Sequence, residues 1–116
     1  MEHEKIVRET LLAVGRLPFF RCWRNETGVA LTFSEPHRPF AYGVKGSGDI
    51  LGILAPSGRF VSLEIKSGNA TQRESQKNFE AMTIRMGGLY FLVRNANEAL
   101  SFITHAHARD TELCKR

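Results

Sequence analysis

The chain has 116 residues, 42% apolar and 24% charged, which suits one domain with one core and excludes both a pair of well-packed domains and a disordered or low-complexity chain. Sixteen Lys and Arg against twelve Asp and Glu leave a net charge of +4, so a polyanion is a candidate partner that composition alone does not identify. No apolar run reaches the roughly 18 residues of a membrane span, and Met1-Glu2-His3-Glu4 lacks the basic-then-apolar order of a secretory signal, so the expectation is a cytoplasmic protein with no membrane partner. Cys22 and Cys114 are too few for a disulfide framework and belong to no CxxC pair, so both are expected as free thiols.

Along the chain, Ile6, Val7, Leu11 and Val14 recur at helical spacing before Gly15, which predicts helix one from Glu2 to Val14. Phe19 to Asn25 reads as a strand ended by Glu26-Thr27-Gly28, with Trp23 expected in the core among apolar neighbours. Ser34-Glu35-Pro36-His37-Arg38-Pro39 holds two prolines and is expected as a loop. Asp49 to Leu54 and Phe60 to Lys66 predict two strands joined by a hairpin through Ala55-Pro56-Ser57-Gly58-Arg59. Thr71 to Met86 predicts a helix with Thr71 as N-cap and Glu74 in a capping-box relation, stopped by Gly87-Gly88. Leu89 to Val93 reads as a short apolar strand and Asn95 to Ile103 as a last helix capped by Asn95 or Asn97. The division is a domain over residues 1–103 and a polar tail over 104–116 with weak helical character. This order predicts an α/β fold, a single small domain with a central mixed sheet flanked by helices.

The chemistry concentrates between Gly43 and Ser67. On a strand, Val61, Leu63 and Ile65 point to one face while Ser62, Glu64 and Lys66 point to the other. Asp49 follows Gly46-Ser47-Gly48 at the head of the preceding strand, where a carboxylate can lie across from Glu64. Two carboxylates can hold a hard cation and leave positions for water and phosphate, while an adjacent ammonium stabilises phosphate charge or orients the attacking water. A bare ExK triplet is most often the solvated face of an amphipathic strand. Here the Asp one hairpin upstream, the glycines that permit close approach and the place of ExK at a strand end argue for a site.

Gly48-Asp49-Ile50-Leu51-Gly52-Ile53 and Leu63-Glu64-Ile65-Lys66-Ser67-Gly68, followed by a helix carrying Gln76, resemble the PD-(D/E)XK nucleases, and among them the stand-alone virus-type replication-repair nuclease (VRR-NUC) domain. The resemblance extends to Glu4 and to Trp23-Arg24-Asn25 with Gly28, and ends near Ile103; Gly48 stands where the motif usually has proline. It implies a restriction-endonuclease-like αβββαβ core in a bacterial or phage-infected cell, and hydrolysis of DNA phosphodiesters with Mg²⁺ or Mn²⁺. Asp49, Glu64 and the Ile65 carbonyl are the implied metal ligands, with Glu4 as the additional helix-one acid, a role for which Glu2 and Glu9 compete. Lys66 is the implied catalytic lysine and Gln76 the implied helix glutamine. Stand-alone domains of the family are associated with four-way junctions, which points to branched DNA as substrate and to a homodimer, for which Phe33, Phe40, Tyr42 and Phe102 can line the contact.

Around this core Arg24, Arg38, Lys45 and Arg73 are candidate phosphate contacts, with Ser47 and the Gly46 and Gly48 amides near the scissile position. Tyr42 can stack on a base or simply pack. His105 and His107 form an HxH pair without a third ligand and are not expected to bind metal. The rival reading from another class is a non-catalytic nucleic-acid-binding module with the same fold, whose signature would be a missing acid or lysine. RNA or single-stranded substrates also stay open, because no residue speaks to the 2′-hydroxyl.

Overall fold

The apolar stripe of α1 (Glu2–Val14) buries Ile6, Val7, Thr10 and Val14, and the chain then turns into β1 (Phe20–Arg24) on the edge of a four-stranded sheet. The computed structural model describes residues 2–115. Met1, the first residue of the expected domain, and Arg116, the last of the expected tail, lie outside the described residues. Next come β2 (Gly28–Leu31), β3 (Pro39–Tyr42), β4 (Ile50–Leu54), β5 (Arg59–Ile65), α2 (Glu74–Arg85), β6 (Leu89–Val93) and α3 (Ala96–Cys114). The main sheet has the order β1-β4-β5-β6, antiparallel except for the β5–β6 pair that α2 connects. It is the mixed α/β sheet expected from the element order.

Strand alternation sorts the sheet into two faces. Phe20, Ile50, Leu54, Val61, Leu63, Ile65 and Val93 meet Val7 and Val14 of α1 and Ala99 and Ile103 of α3 in the main core. On the opposite face Phe79 of α2 packs edge-on to Phe60 and tilted against Tyr90. The second face of β5 is therefore not solvated. Ser62, Glu64 and Lys66 are buried there, Glu64 at 4% and Lys66 at 7% exposure.

α2 covers only part of this face, which corrects the expectation for Trp23. Pairing of Trp23 with Leu51 on the edge strand turns its ring away from the main core, and it is 45% exposed.

Two helix boundaries also differ from expectation. α2 starts at Glu74 rather than near Thr71, because the Gln76 side chain folds back and its Oε1 accepts from the Arg73 amide at 2.8 Å. α3 begins as expected, with Asn95 Oδ1 accepting from Glu98 N, yet it runs on to Cys114 through the segment expected as a weakly structured tail. The polar residues of that segment have partners on the β4–β5 hairpin. Buried Asp110 accepts from Ser57 N at 2.9 Å and Ser57 Oγ at 2.8 Å. His107 stacks on Phe19 and donates through Nδ1 to the Ala55 carbonyl. His105 bonds Ser101 O of its own helix, so the HxH pair is accounted for by packing and hydrogen bonds.

β2 and β3 form a separate two-stranded ribbon that is not hydrogen-bonded to the main sheet. Its loop is closed by the Thr32 amide on Arg38 O and by Arg38 N on Thr32 Oγ1, and Pro39 occupies the first position of β3, where no ladder donor is lost. Val29, Leu31, Phe33, Phe40 and Tyr42 are all exposed, Phe33 at 98%. Phe102 does not belong with them: it lies on α3 and stacks on Phe91. Among the described residues no helix is long and apolar enough to cross a membrane.

The Asp110–Ser57 contact implies that Asp110→Ala, which removes two part-buried hydrogen bonds to a carboxylate, lowers stability by about 1–3 kcal/mol. Ser57→Ala keeps the backbone bond and is expected to lose less. Urea midpoints at constant slope measure both, and equal losses would show that the amide bond is unimportant.

Candidate active site

Ile50 pairs with Leu63 and Leu51 with Ser62, and the same register carried one residue outward sets Asp49 opposite Glu64. Asp49 is locked there: its carbonyl accepts from Asn25 N at 2.8 Å and its Oδ2 accepts from Ile65 N at 2.9 Å. The preceding turn is packed against its neighbours. A Cβ on Gly46 would lie 2.1 Å from Ser75 O, and one on Gly48 would lie 2.5 Å from both Leu63 O and Ser62 Oγ. These glycines thus serve close packing of protein on protein. The Gly48 amide donates to Ser62 Oγ, which corrects its expected availability to phosphate.

Glu64 Oε2 accepts from Gln76 Nε2 at 2.9 Å and stands 3.5 Å from Lys66 Nζ. Gln76 therefore ties Glu64 to the start of α2 through its two amide ends. Lys66 N donates to Val93 O, which sets the strand end, and Arg94 Nη1 bonds the carbonyls of Gly68 and Ala70 in the loop beyond. Burial and, second, the nearby Asp49 charge push the Glu64 carboxyl up to about 7, against the opposing pull of Lys66.

A groove of about 610 Å³ runs over these groups, with Lys45, Ser47 and Arg73 on its wall and Tyr42 of the ribbon at its side. Ser47 Oγ donates to Val44 O and accepts from Asn25 Nδ2. Arg24 lines a smaller polar pocket beside Ser47 and Asp49. Arg38 sits in the exposed ribbon loop and lines neither. Asp49, Glu64, Lys66, Gln76, Lys45, Ser47 and Arg73 are thus brought together, and Arg24 stands at their margin.

Glu4 is not brought to the acids. Its carboxylate is gripped by Arg24 Nη1 and Nη2 at 2.5 and 2.6 Å, and that hydrogen bonding holds it below the usual glutamate range. The helix-one side chain at the acids is His3, whose Nε2 lies 3.0 Å from the Ile65 carbonyl oxygen and 3.4 Å from Asp49 Oδ2. Residue spacing held a signal for this: His3 continues the inward series Val7, Thr10, Val14, and Glu4 is one position off it. Asn25, which clamps the loop before Asp49 through Gly48 O, and Ser62 are two further site residues whose roles sequence reasoning missed.

Two carboxylates whose charges oppose one another, beside a backbone carbonyl, are a donor set suited to a hard divalent cation. Among the described residues no three His, Cys, Asp or Glu side chains stand close enough together to hold an ion by themselves. Carbonyl and water oxygens would complete the shell. The chain matches no protein-family profile and no curated protein.

The raised Glu64 carboxyl has a consequence for stability. Its ordinary value is 4.5 and its folded value about 7, so the folded state binds this proton more tightly than the unfolded chain does. The resulting stabilisation is complete below about pH 4.5 and is lost as pH climbs through 7. Glu64→Gln, neutral at every pH, is expected to gain on the wild type across this window by on the order of 3 kcal/mol in metal-free buffer. Unfolding free energies at pH 5, 6, 7 and 8 measure it, and a constant difference between the two proteins would contradict the assignment.

Proposed function

We propose that the protein is a metal-dependent endonuclease that hydrolyses DNA phosphodiester bonds. The observation that carries this reading is the burial of Glu64 and Lys66 opposite Asp49 at the floor of an open groove. Taking such charges out of water costs several kcal/mol per ion. The fold has no structural need of them, since an apolar pair would serve the sheet as well, so a chemical role accounts for them better.

In this reading Asp49, Glu64 and the Ile65 carbonyl hold Mg²⁺ or Mn²⁺, which supplies charge against the phosphate and acidifies a bound water. Lys66 Nζ, fixed beside Glu64, offers its positive charge to the phosphate oxygens as negative charge grows on them. Gln76 holds Glu64 in orientation and leaves the second carboxylate oxygen to the groove. Lys45 and Arg73 contact flanking phosphates, and Ser47 keeps the loop below them in place.

The ribbon supports a homodimer as the working form and branched DNA as substrate. An isolated two-stranded hairpin is marginal in water, and this one exposes apolar side chains on both faces, from Val29 and Leu31 to Phe40 and Tyr42. A two-fold contact through Phe33, Phe40 and Tyr42 would cover the aromatic face of the ribbon and supply the two sites that paired cuts in a junction require.

Glu64→Gln, Asp49→Asn and Lys66→Met are each expected to lower cleavage by on the order of 10²-fold or more while the protein stays folded. Linear duplex, flap and four-way-junction DNA with Mg²⁺, Mn²⁺ or EDTA provide the assay. Wild-type cutting by Glu64→Gln would remove the site assignment, and binding without any cutting would favour a non-catalytic module.

In Ca²⁺, the slope of log affinity against log salt should fall by about 1 in Lys45→Ala and in Arg73→Ala. Arg24→Ala should change it less, because Glu4 already matches that charge. Light scattering at micromolar concentration tests the dimer, with Phe33→Ser combined with Phe40→Ser expected to shift it to the monomer mass.

A further inference from the structure

We infer that Arg94 is a positioning residue for the groove: its guanidinium fixes the loop between β5 and α2, which follows Lys66 and carries Arg73. The inference rests on the reading of the groove as a nuclease site, and it adds a residue whose own side chain does not line that groove.

Ser67, Ala70 and Arg73 of this loop form one wall of the groove. The run Ser67-Gly68-Asn69-Ala70-Thr71 holds no large apolar side chain, and residues 68–71 are exposed. Packing therefore does not set its path, and hydrogen bonds must. Its backbone closes the turn from Ala70 N to Ser67 O at 3.1 Å, and at its far end Gln72 Nε2 donates to Glu80 Oε1 and Tyr90 OH. The middle is held by Arg94. Nη1 donates to the Gly68 and Ala70 carbonyls, each at 3.0 Å, and lies 3.4 Å from the Lys66 carbonyl. These bonds have a charged donor and are correspondingly strong. Among the described residues the guanidinium makes no ion pair, so the loop carbonyls are the partners that account for its place.

Arg94 is anchored in turn. Its amide donates to Glu98 Oε1 at 2.7 Å, and Glu98 lies in the first turn of α3, the helix that buries Ala99 and Ile103 in the main core. The residue before it, Val93, accepts from Lys66 N at 3.0 Å. The end of β6 thus holds Lys66 by its amide and the chain beyond Lys66 by its carbonyls. A guanidinium removed from this place frees the wall of the groove while the sheet and α3 stay packed. Misplacement of a catalytic group by about 1 Å can cost on the order of 10²-fold in rate, so loosening of the loop should appear in turnover.

Hydrogen exchange of the free protein, without metal or DNA, reads the loop directly. Arg94→Met is expected to speed exchange of the Ala70 amide by about 10-fold or more, and Arg109→Gln, which removes an exposed arginine of α3, to leave it unchanged. In cleavage assays Arg94→Met should lower kcat by on the order of 10-fold. The slope of log affinity against log salt in Ca²⁺ should stay at the wild-type value, because the charge is spent on carbonyls and not on phosphate. Arg94→Lys, which keeps the charge with a shorter reach, should fall between wild type and Arg94→Met in exchange and in kcat, and it carries the test if urea midpoints show Arg94→Met unfolded. Unchanged exchange at Ala70, or faster exchange with wild-type kcat, would overturn the positioning role and leave the nuclease reading standing. A slope reduced by about 1 with kcat unchanged would make Arg94 a phosphate contact instead. No cleavage by the wild type would remove the nuclease reading, and the role of Arg94 in it, whatever the exchange rates show.

Discussion

The register between β4 and β5 is the constraint on which the rest depends. Because Ile50 faces Leu63, Asp49 comes opposite Glu64, and Asp49 Oδ2 reaches the Ile65 amide. A slip of one residue would exchange the faces of β5, sending Leu63 and Ile65 out of the main core and Glu64 into it. The same apolar burial that holds the sheet together thus holds the two carboxylates in register. Gly48 permits the close approach, since any side chain there would collide with the backbone of β5.

Around that pair, polar groups limit the cost of burying charge without removing it. Gln76, Lys66 and the Ile65 amide satisfy carboxylate oxygens of Glu64 and Asp49. Burial still outweighs them at Glu64, which is why its carboxyl rests near neutrality. The site is therefore a locally unfavourable arrangement that the core of Val7, Ile50, Leu63, Ile65, Val93 and Ile103 must carry. α2 binds the two parts together. Its Phe79 packs on the sheet while Gln76, one turn earlier, holds the acid.

The ribbon obeys a different logic. Its strands pair only with each other, and its apolar side chains exceed what the main core takes in. Polar atoms of Thr32 close its loop, so its shape is set locally even though its surface is not covered. Its base borders the groove through Gly28 and Tyr42, which couples whatever covers the ribbon to access to the acids.

Local signals sufficed wherever an element's fate depended on its own periodicity. α1, the β4–β5 hairpin, β6 and the Asn95 cap were legible for that reason, and the spacing of Asp49, Glu64 and Lys66 with alternation along a strand placed the acids and the lysine on one side. Tertiary structure decided what depends on a distant partner. Trp23 is left half-exposed because α2 packs on β6 and not over the β1 edge of that face. Residues 104–114 are helical because Asp110 and His107 find Ser57, Ala55 and Phe19 across more than fifty positions of sequence. Glu4 turns to Arg24 and His3 to Ile65 because helix α1 docks on the sheet with one stripe inward, and adjacent helical residues point about 100° apart. Sequence order states which groups are available; the docking angle of α1 decides which of two neighbouring side chains reaches the acids.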